Sequence, residues 1–426
     1  MLRVFKQNHP KGLYLLFCVE MWERFSFYGM RALIVLYMIE TLMYSAEKAG
    51  NIYGWYTGLV YLTPLIGGYI ADRLLGQRRC ISLGATLMIA GLFLLAFGPK
   101  TLFLLALFLM IIANGFFKSN ISSVLGLLYG NDNDRKDSAF TIFYMGINLG
   151  AFFSPLVCGT LAVKYGYEYG FASAGVGMLI GLITYKFFEN RYLGGCGLRP
   201  VAQASKDIEA EENESKDDNK QLISLIILML FTIPFWVCFE QAGSSLTLFA
   251  EYDTNRNLLG FEIPTGYFQS LNPLFIITLA PLMSLLWENL RKKSKEPSSV
   301  SKFSIALFLI SLSFCVLAYA GHLSISGLVS PVWLVLGYFI MTIAELCLSP
   351  IGLSLVSKLA PRKFLSLTMG CWFLTSFIGN LIAGFWGGQY EAFTPTELFG
   401  VLAVLSFATL ILLLIFKPFL NKTINH

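Results

Sequence analysis

The sequence predicts an all-α polytopic membrane protein with twelve transmembrane helices in two six-helix bundles and both termini cytoplasmic. Hydrophobic residues make up 56% of the 426 and charged residues only 13%, far from the composition of a soluble globular chain. The apolar residues gather into twelve runs, each long enough to cross ~30 Å of hydrocarbon, which takes about 20 helical residues. The basic residues alternate between loops: 24 of the 31 Lys and Arg fall in one set of loops and ends, against Lys48, Lys100, Lys164 and Arg256 in the other. Lys and Arg concentrate on the cytoplasmic side of a membrane, so both ends of the chain are expected there.

The runs of the first half cover residues 12–40, 52–74, 79–98, 102–128, 138–163 and 167–188. Arg73, Arg78 and Arg79 follow the second run, Arg135 and Lys136 the fourth, and Lys186, Arg191 and Arg199 the sixth, which places these loops in the cytoplasm. Residues 207–220 then read DIEAEENESKDDNK, a polar, mostly acidic stretch expected to be a solvated linker. The second half repeats the plan with runs at 221–250, 266–288, 302–321, 329–357, 365–389 and 396–417. The domain organisation is therefore a bundle over 1–189, a cytoplasmic acidic linker over 190–220 and a second bundle over 221–426. The first run is too long and too charged for a cleavable signal peptide. The eight cysteines show neither a disulfide framework nor metal-ligand spacing and read as soft packing residues. The net charge of +5 reflects the loop asymmetry rather than affinity for nucleic acid.

The first run carries Glu20, Glu23, Arg24 and Arg31. Each ionised side chain at bilayer depth costs roughly 2.5–3.5 kcal/mol, so such residues face a partner or a wet cavity. Positions 20, 23, 24, 27, 28 and 31 follow the i, i+3, i+4, i+7, i+8, i+11 pattern of one helical face, which also bears the hydroxyl of Tyr28. The other ionisable residues well inside runs are Lys118 in the fourth, Glu240 in the seventh and Glu345 in the tenth. Left unpaired, seven such charges would cost on the order of 20 kcal/mol. Four acids and three bases are expected to offset one another in a shared wet cavity.

The 6+6 plan is similar to that of the major facilitator superfamily, whose halves pack around a midplane site lined by the first and fourth helices of each half. GYIADRLLGQRR at 68–79 resembles its cytoplasmic gate motif, with one extra residue between Arg73 and Gly76. EMWERFSFYGMRALIVLYM at 20–38 resembles the ExxERFxYYG signature of the proton-dependent oligopeptide transporter family. FYMGINLGAF (143–152), FWVCFEQAGSSLTLFA (235–250), SLNPLFII (270–277), ELCLSPIGLSLVSKLAP (345–361) and GCWFLTSFIGN (370–380) resemble its spans five, seven, eight, ten and eleven. Two departures stand out. Phe27 replaces the first tyrosine of the signature pair, so a hydroxyl contact is lost there. The linker is also too short to supply the two extra helices that many bacterial members carry.

A short peptide presents an ammonium and a carboxylate at a nearly fixed separation, so a promiscuous site clamps the two ends with opposite charge. Arg24, Arg31 and Lys118 supply positive charge for the carboxylate, an arginine through two parallel hydrogen bonds. Glu345, with the amide oxygens of Asn148 and Asn272, receives the ammonium. The resemblance implies the same division, with Arg24, Lys118 and Tyr28 at the carboxylate, Glu345, Asn148 and Asn272 at the amino end, and Tyr61, Trp372 and Phe27 as pocket walls. The alternatives are interhelical hydrogen bonding for Asn148, Asn272 and Tyr61, and plain packing for Trp372. His9, His322 and His426 lie at an end of the chain or of a run, so no midplane imidazole relay exists and carboxylates must carry the proton. Glu20 and Glu23 are ionised beside Arg24, and a desolvated carboxylate that loses its arginine prefers the neutral form. Glu240 is expected to bridge to Lys118 or Arg31. Pro350, Gly370, Gly379 and Gly384 are either gating bends or accommodated kinks.

The expected function is proton-coupled import of di- and tripeptides by alternating access. Nearest to it is the same machinery acting on nitrate, an amino acid conjugate or a peptide-like drug, although Glu345 speaks against a simple anion carrier. A non-transporting nutrient sensor would carry an output domain, and none is visible. An enzyme has the least support, since no nucleophile, metal set or phosphate loop stands out. The expected partners are di- and tripeptides, peptide-like drugs and the lipid bilayer, with no nucleic acid. The chain is expected to act as a monomer in the bacterial cytoplasmic membrane, with no cofactor and the proton gradient as its energy source.

Overall fold

Away from water, every backbone N–H and C=O of an apolar run must be satisfied internally, which a helix achieves within one segment. The computed structural model describes residues 9–130, 132–200, 216–258, 260–359 and 365–424 and is helical apart from loops and one hairpin. Helices α1 (Lys11–Leu36), α2 (Ala46–Ile70), α3 (Gln77–Phe97), α4 (Phe103–Tyr129), α5 (Asn133–Tyr165) and α6 (Tyr167–Leu193) take up the first six runs. The seventh run is in pieces: α7 (Lys216–Leu230), α8 (Thr232–Phe239), a 3-10 turn (Glu240–Gly243) and α9 (Ser245–Tyr252). Then come α10 (Leu271–Lys292), α11 (Ser299–Ser324), α12 (Val332–Leu359), α13 (Leu365–Gly387) and α14 (Pro395–Ile424). Nine described helical segments are long and apolar enough to cross a membrane. The charge-bearing α1 is not among them.

Residues 201–215 of the expected linker lie outside the described residues, as do Arg3, Lys6, Arg362, Lys363 and His426. Lys216–Lys220, read from sequence as linker, open α7. The break after Leu230 has a local cause: Pro234 has no N–H for the Leu230 carbonyl four residues earlier. An all-α reading also misses the antiparallel pair β1 (Asn257–Leu258) and β2 (Phe261–Glu262). Gly260, at φ +85°, supplies the left-handed residue that so tight a reversal uses.

Two helices end in wide turns. α1 runs into a π turn at Tyr37–Thr41 and α2 into another at Ala71–Leu75. In the second, the Gly76 N–H donates to the Ala71 carbonyl five residues back, at 2.9 Å. This is where the gate-like motif carries its extra residue.

The contacts group the chain into two compact units, Met1–Tyr37 with Leu59–Ala210 and Met38–Gly58 with Glu211–His426. In the first, α1 packs chiefly on α5 and α6, and α3 on α4 and α6. Small residues set the α1 crossings. A Cβ at Gly146 would lie 2.9 Å from the Phe17 ring, and one at Gly150 would lie 3.0 Å from the Phe25 nitrogen, so any larger side chain pushes α5 off the charged helix.

The second unit has an apolar core that includes Phe235, Phe249, Phe303, Phe314, Tyr338 and Phe399. The start of α2 belongs to it because Gly50, Gly54 and Gly58, one turn apart, lie against α13. A Cβ at Gly54 would come within 3.1 Å of the Asn380 carbonyl oxygen and the Gly384 Cα. α12 continues through Pro350, and α13 through Gly370, Gly379 and Gly384. Gly379 and Gly384 are points of close approach, to Trp236 and to Gly50 and Gly54. Large apolar side chains such as Phe97, Phe187, Val404 and Ile415 face outward, a surface suited to lipid and unsuited to water.

Candidate functional site

In the first unit, the Arg24 guanidinium is the hub of the charged stripe. Its Nη2 donates to Glu23 Oε1 at 2.8 Å, its Nε donates to Glu23 Oε2, and the same Nε lies 3.2 Å from Glu20 Oε1. All three side chains are buried, Glu23 completely. Both acids are where the sequence expects them, beside Arg24; the i, i+4 spacing accounts for Glu20, whereas the two-bond fork to the adjacent Glu23 is not one that helical spacing predicts. α4 adds Asn114, whose Nδ2 donates to Glu23 Oε1 at 3.5 Å. Sequence reasoning missed Asn114; its signal is a position one turn before Lys118.

The cations also rest on aromatic faces, an arrangement in which the ring quadrupole attracts them. The Arg24 guanidinium lies 5.3 Å from the Phe27 ring centre, that of Arg31 lies 5.8 Å from Tyr28, and the Lys118 ammonium lies 4.4 Å from Tyr61. Phe27 therefore keeps an electrostatic contact although it lacks the hydroxyl of the family signature. Lys118 is within electrostatic reach of Glu20. Asn148, also buried, donates its Nδ2 to the Tyr144 carbonyl one turn earlier in its own helix, at 2.9 Å.

In the second unit, Asn272 from α10 donates to Glu345 Oε2 of α12 at 2.8 Å and to Thr342 Oγ1 at 3.1 Å. Glu240, buried, opens the 3-10 turn and lies within electrostatic reach of Glu345. Next to it Gln241, also unread from sequence, ties this turn to its surroundings. Its Nε2 donates to the carbonyls of Val237 at 3.0 Å and Ala383 at 3.2 Å, and its Oε1 accepts from Ser245 at 2.6 Å. Trp372 is 4% exposed and belongs to the apolar core, its ring lying over Gly352.

The loops of this unit hold a second polar group. Tyr390 donates to Asp253, and burial together with that carboxylate holds the phenol protonated well above its ordinary range. Tyr390→Phe leaves Asp253 without this donor. A hydrogen bond to a charged group contributes about 1.5–3 kcal/mol, so the thermal midpoint of the purified protein is expected to fall by several degrees, measured in detergent, with the Km for substrate unchanged.

Residues 78–193 and 198–404 match the sequence profile PTR2, the POT family. The peptide transporter YePEPT of Yersinia enterocolitica is 37% identical, with 90% of this chain and 89% of that protein covered. The transporter YclF of Bacillus subtilis, described as uncharacterized, is 34% identical over 98% and 96% of the two chains. A solved structure of a mutant of the peptide transporter POT in complex with alafosfalin matches with a TM-score of 0.90 and 34% identity, covering 97% of this chain and 96% of that one. With its profile match covering most of its length, its apolar helices and relatives aligned nearly end to end, this chain belongs to the POT family and is a multi-pass membrane protein.

Proposed function

We propose that this protein is a proton-coupled symporter that imports di- and tripeptides by alternating access. It would do so as a monomer of twelve spans, with cytoplasmic termini, in a bacterial cytoplasmic membrane. The observation that carries the reading is a buried guanidinium shared by two carboxylates inside an apolar helix, in a chain of the POT family. The peptide-transporting relative supports the substrate class. The alafosfalin complex of a related transporter supports extension to peptide-like drugs.

On this reading Arg24, Lys118 and Tyr28, with Arg31 nearby, bind the peptide carboxylate. Glu345, Asn272 and Asn148 bind the ammonium, and Glu20, Glu23 and Glu240 carry the proton. Coupling follows from charge. A peptide carboxylate arriving at Arg24 is a third anion on one guanidinium, and protonating one of the two resident acids offsets it. Peptide and proton therefore each favour the other's binding, and by linkage the effect is reciprocal. The proton gradient is the energy source, and no chemical step is involved.

The test is uptake of labelled dialanine into proteoliposomes with and without an inward proton gradient. Accumulation that collapses with a protonophore is expected; folded protein that takes up no dialanine would overturn the reading. Glu23→Gln should lose accumulation against a gradient. Glu345→Gln removes the anion facing the ammonium, a charged hydrogen bond of about 1.5–3 kcal/mol, and should raise the Km for dialanine at least tenfold. An unchanged Km would remove Glu345 from the site.

A further inference from the structure

One end of the second unit carries an apolar patch outside the spans. The hairpin β1–β2 is two-faced: its register sets Asn257 opposite Glu262 and Leu258 opposite Phe261. Cross-strand partners share a side of the ribbon and successive residues alternate, so one face is polar and the other bears Leu258 and Phe261. Both are more than half exposed, and so are Ile325 and Leu328 in the loop between α11 and α12. The two loops are tied main chain to main chain: the Asn255 N–H donates to the Val329 carbonyl at 2.8 Å, and the Val329 N–H to the Asp253 carbonyl at 2.9 Å. Charge is kept off the patch. Residues 323–332 contain none, and in the hairpin stem Arg256 is held by two acids, donating to Glu251 Oε1 at 2.5 Å and lying 3.2 Å from Glu262 Oε1.

Exposed apolar side chains gathered in one place mark a contact with lipid or protein, and two observations select lipid. The hairpin joins two segments long and apolar enough to cross a membrane, one ending at Tyr252 and the next starting at Thr265. At about 3.4 Å per residue its short strands keep the tip on the order of 10 Å from those ends, a reach comparable with the interfacial layer of a bilayer. The patch also continues along the chain into outward-facing apolar side chains of the spans, Tyr319 on α11 and Val332 on α12. We infer that the patch is a membrane anchor: Leu258, Phe261, Ile325 and Leu328 seat among the headgroups and upper acyl chains of the leaflet at this end of the unit. With the basic loops in the cytoplasm, this is the outer leaflet. The anchor holds the α9 end of the seventh run, which joins α8 only through the 3-10 turn, at a fixed depth in the bilayer. Since the patch holds no base, its seating is apolar and independent of anionic lipid.

The experiment attaches a nitroxide to Leu258→Cys, to Ile325→Cys and, on the polar face of the hairpin, to Asn257→Cys, in protein whose exposed native cysteine, Cys315, is replaced by alanine. The signal of that background is subtracted. Each protein is placed singly in phosphatidylcholine nanodiscs, and collision of the label with oxygen, which partitions into the bilayer, is compared with collision with a water-soluble nickel chelate. The ratio of oxygen to nickel collisions should be several-fold higher at 258 and 325 than at 257. It should not change when part of the lipid is replaced by phosphatidylglycerol. Phe261→Glu puts a charge on the apolar face and should lower the ratio at 258 several-fold, towards that at 257.

Labels at 258 and 325 as open to nickel as that at 257 would place the patch in water and overturn the inference. Labels shielded from both reagents would mean that protein covers the patch, which also overturns it; dipolar broadening in discs loaded with two copies would then identify a second copy as the cover. A ratio that rises only with phosphatidylglycerol would refute apolar seating. Unfolding midpoints equal to that of native protein show that the variants fold, and if a label at 258 displaces the hairpin, the label at 325 is read by the same criteria. None of these measurements involves a substrate, so the anchor stands or falls apart from the peptide reading.

Discussion

Arg24→Ala should abolish gradient-driven uptake of dialanine, lowering it at least a hundredfold, and should destabilise the purified protein by about 3–5 kcal/mol, the usual cost of removing one partner from a buried ion pair. The guanidinium is the only group in direct contact with both Glu20 and Glu23 among the described residues. Its loss leaves Glu23, fully buried, with Asn114 as its one hydrogen-bond donor among the described residues. Arg24→Lys separates the two effects. A lysine keeps the charge, and with it most of the stability, but it lacks the planar fork that meets a carboxylate through two parallel bonds, so transport should still fall about tenfold or more. Thermal unfolding in detergent and uptake in liposomes, measured on the same preparations, check both parts. An alanine variant as stable as native would mean that the acids are held by something other than this pairing.

The second large effect is expected at Gly384→Val. A Cβ there would lie 2.5 Å from the Gly50 carbonyl oxygen and 2.5 Å from the Gly54 nitrogen. Both are backbone atoms, which cannot rotate away as a side chain would, so α13 and the start of α2 must separate. Overpacking of this kind costs about 1–3 kcal/mol, and the larger figure applies where backbone meets backbone over successive turns. Gly400→Ala on α14, with nothing within 4 Å of the added atom, is the control. It should be neutral or stabilise by up to about 1 kcal/mol through helix propensity. Thermal midpoints of the two variants, compared side by side, decide the matter. Similar midpoints would show that the glycine seam tolerates separation.

What could be read in advance follows from how strongly each residue contrasts with its surroundings. A charge in an apolar helix is conspicuous, which is why Glu20, Arg24, Lys118 and Glu345 stand out in the sequence alone. Their amide neighbours do not: Asn114 and Gln241 are neutral residues in runs that already contain Asn, Gln and Ser, and their roles depend on which helix comes to lie opposite. The pairing of Glu23 with Arg24 is legible in the sequence, but its forked, two-bond geometry is not, since it forms between adjacent positions that helical geometry ordinarily directs apart. Trp372 reads from sequence as a pocket wall or as plain packing, and only the structure shows its ring lying over Gly352 of α12, beside the core. The glycines of α13 read from sequence as gating bends or accommodated kinks. Their partners, Gly50, Gly54 and Trp236, lie far away in sequence, and a close approach needs both sides to be seen.

The π turn at Ala71–Leu75 gives the extra residue of the gate-like motif a history. An insertion in a loop lengthens the loop; an insertion in a helix either rotates everything beyond it by about 100° or is absorbed in one widened turn. Here the Gly76 N–H reaches back five residues to Ala71, so the added residue is taken up locally, and the start of α3 keeps the relation to α2 that a chain one residue shorter would have. The insertion is thus reversible. Deleting Leu74, which is 68% exposed, should close the wide turn into ordinary helix and leave the protein folded, whereas deleting a single residue within the glycine-spaced stretch 50–58 has no such reserve and should not be tolerated.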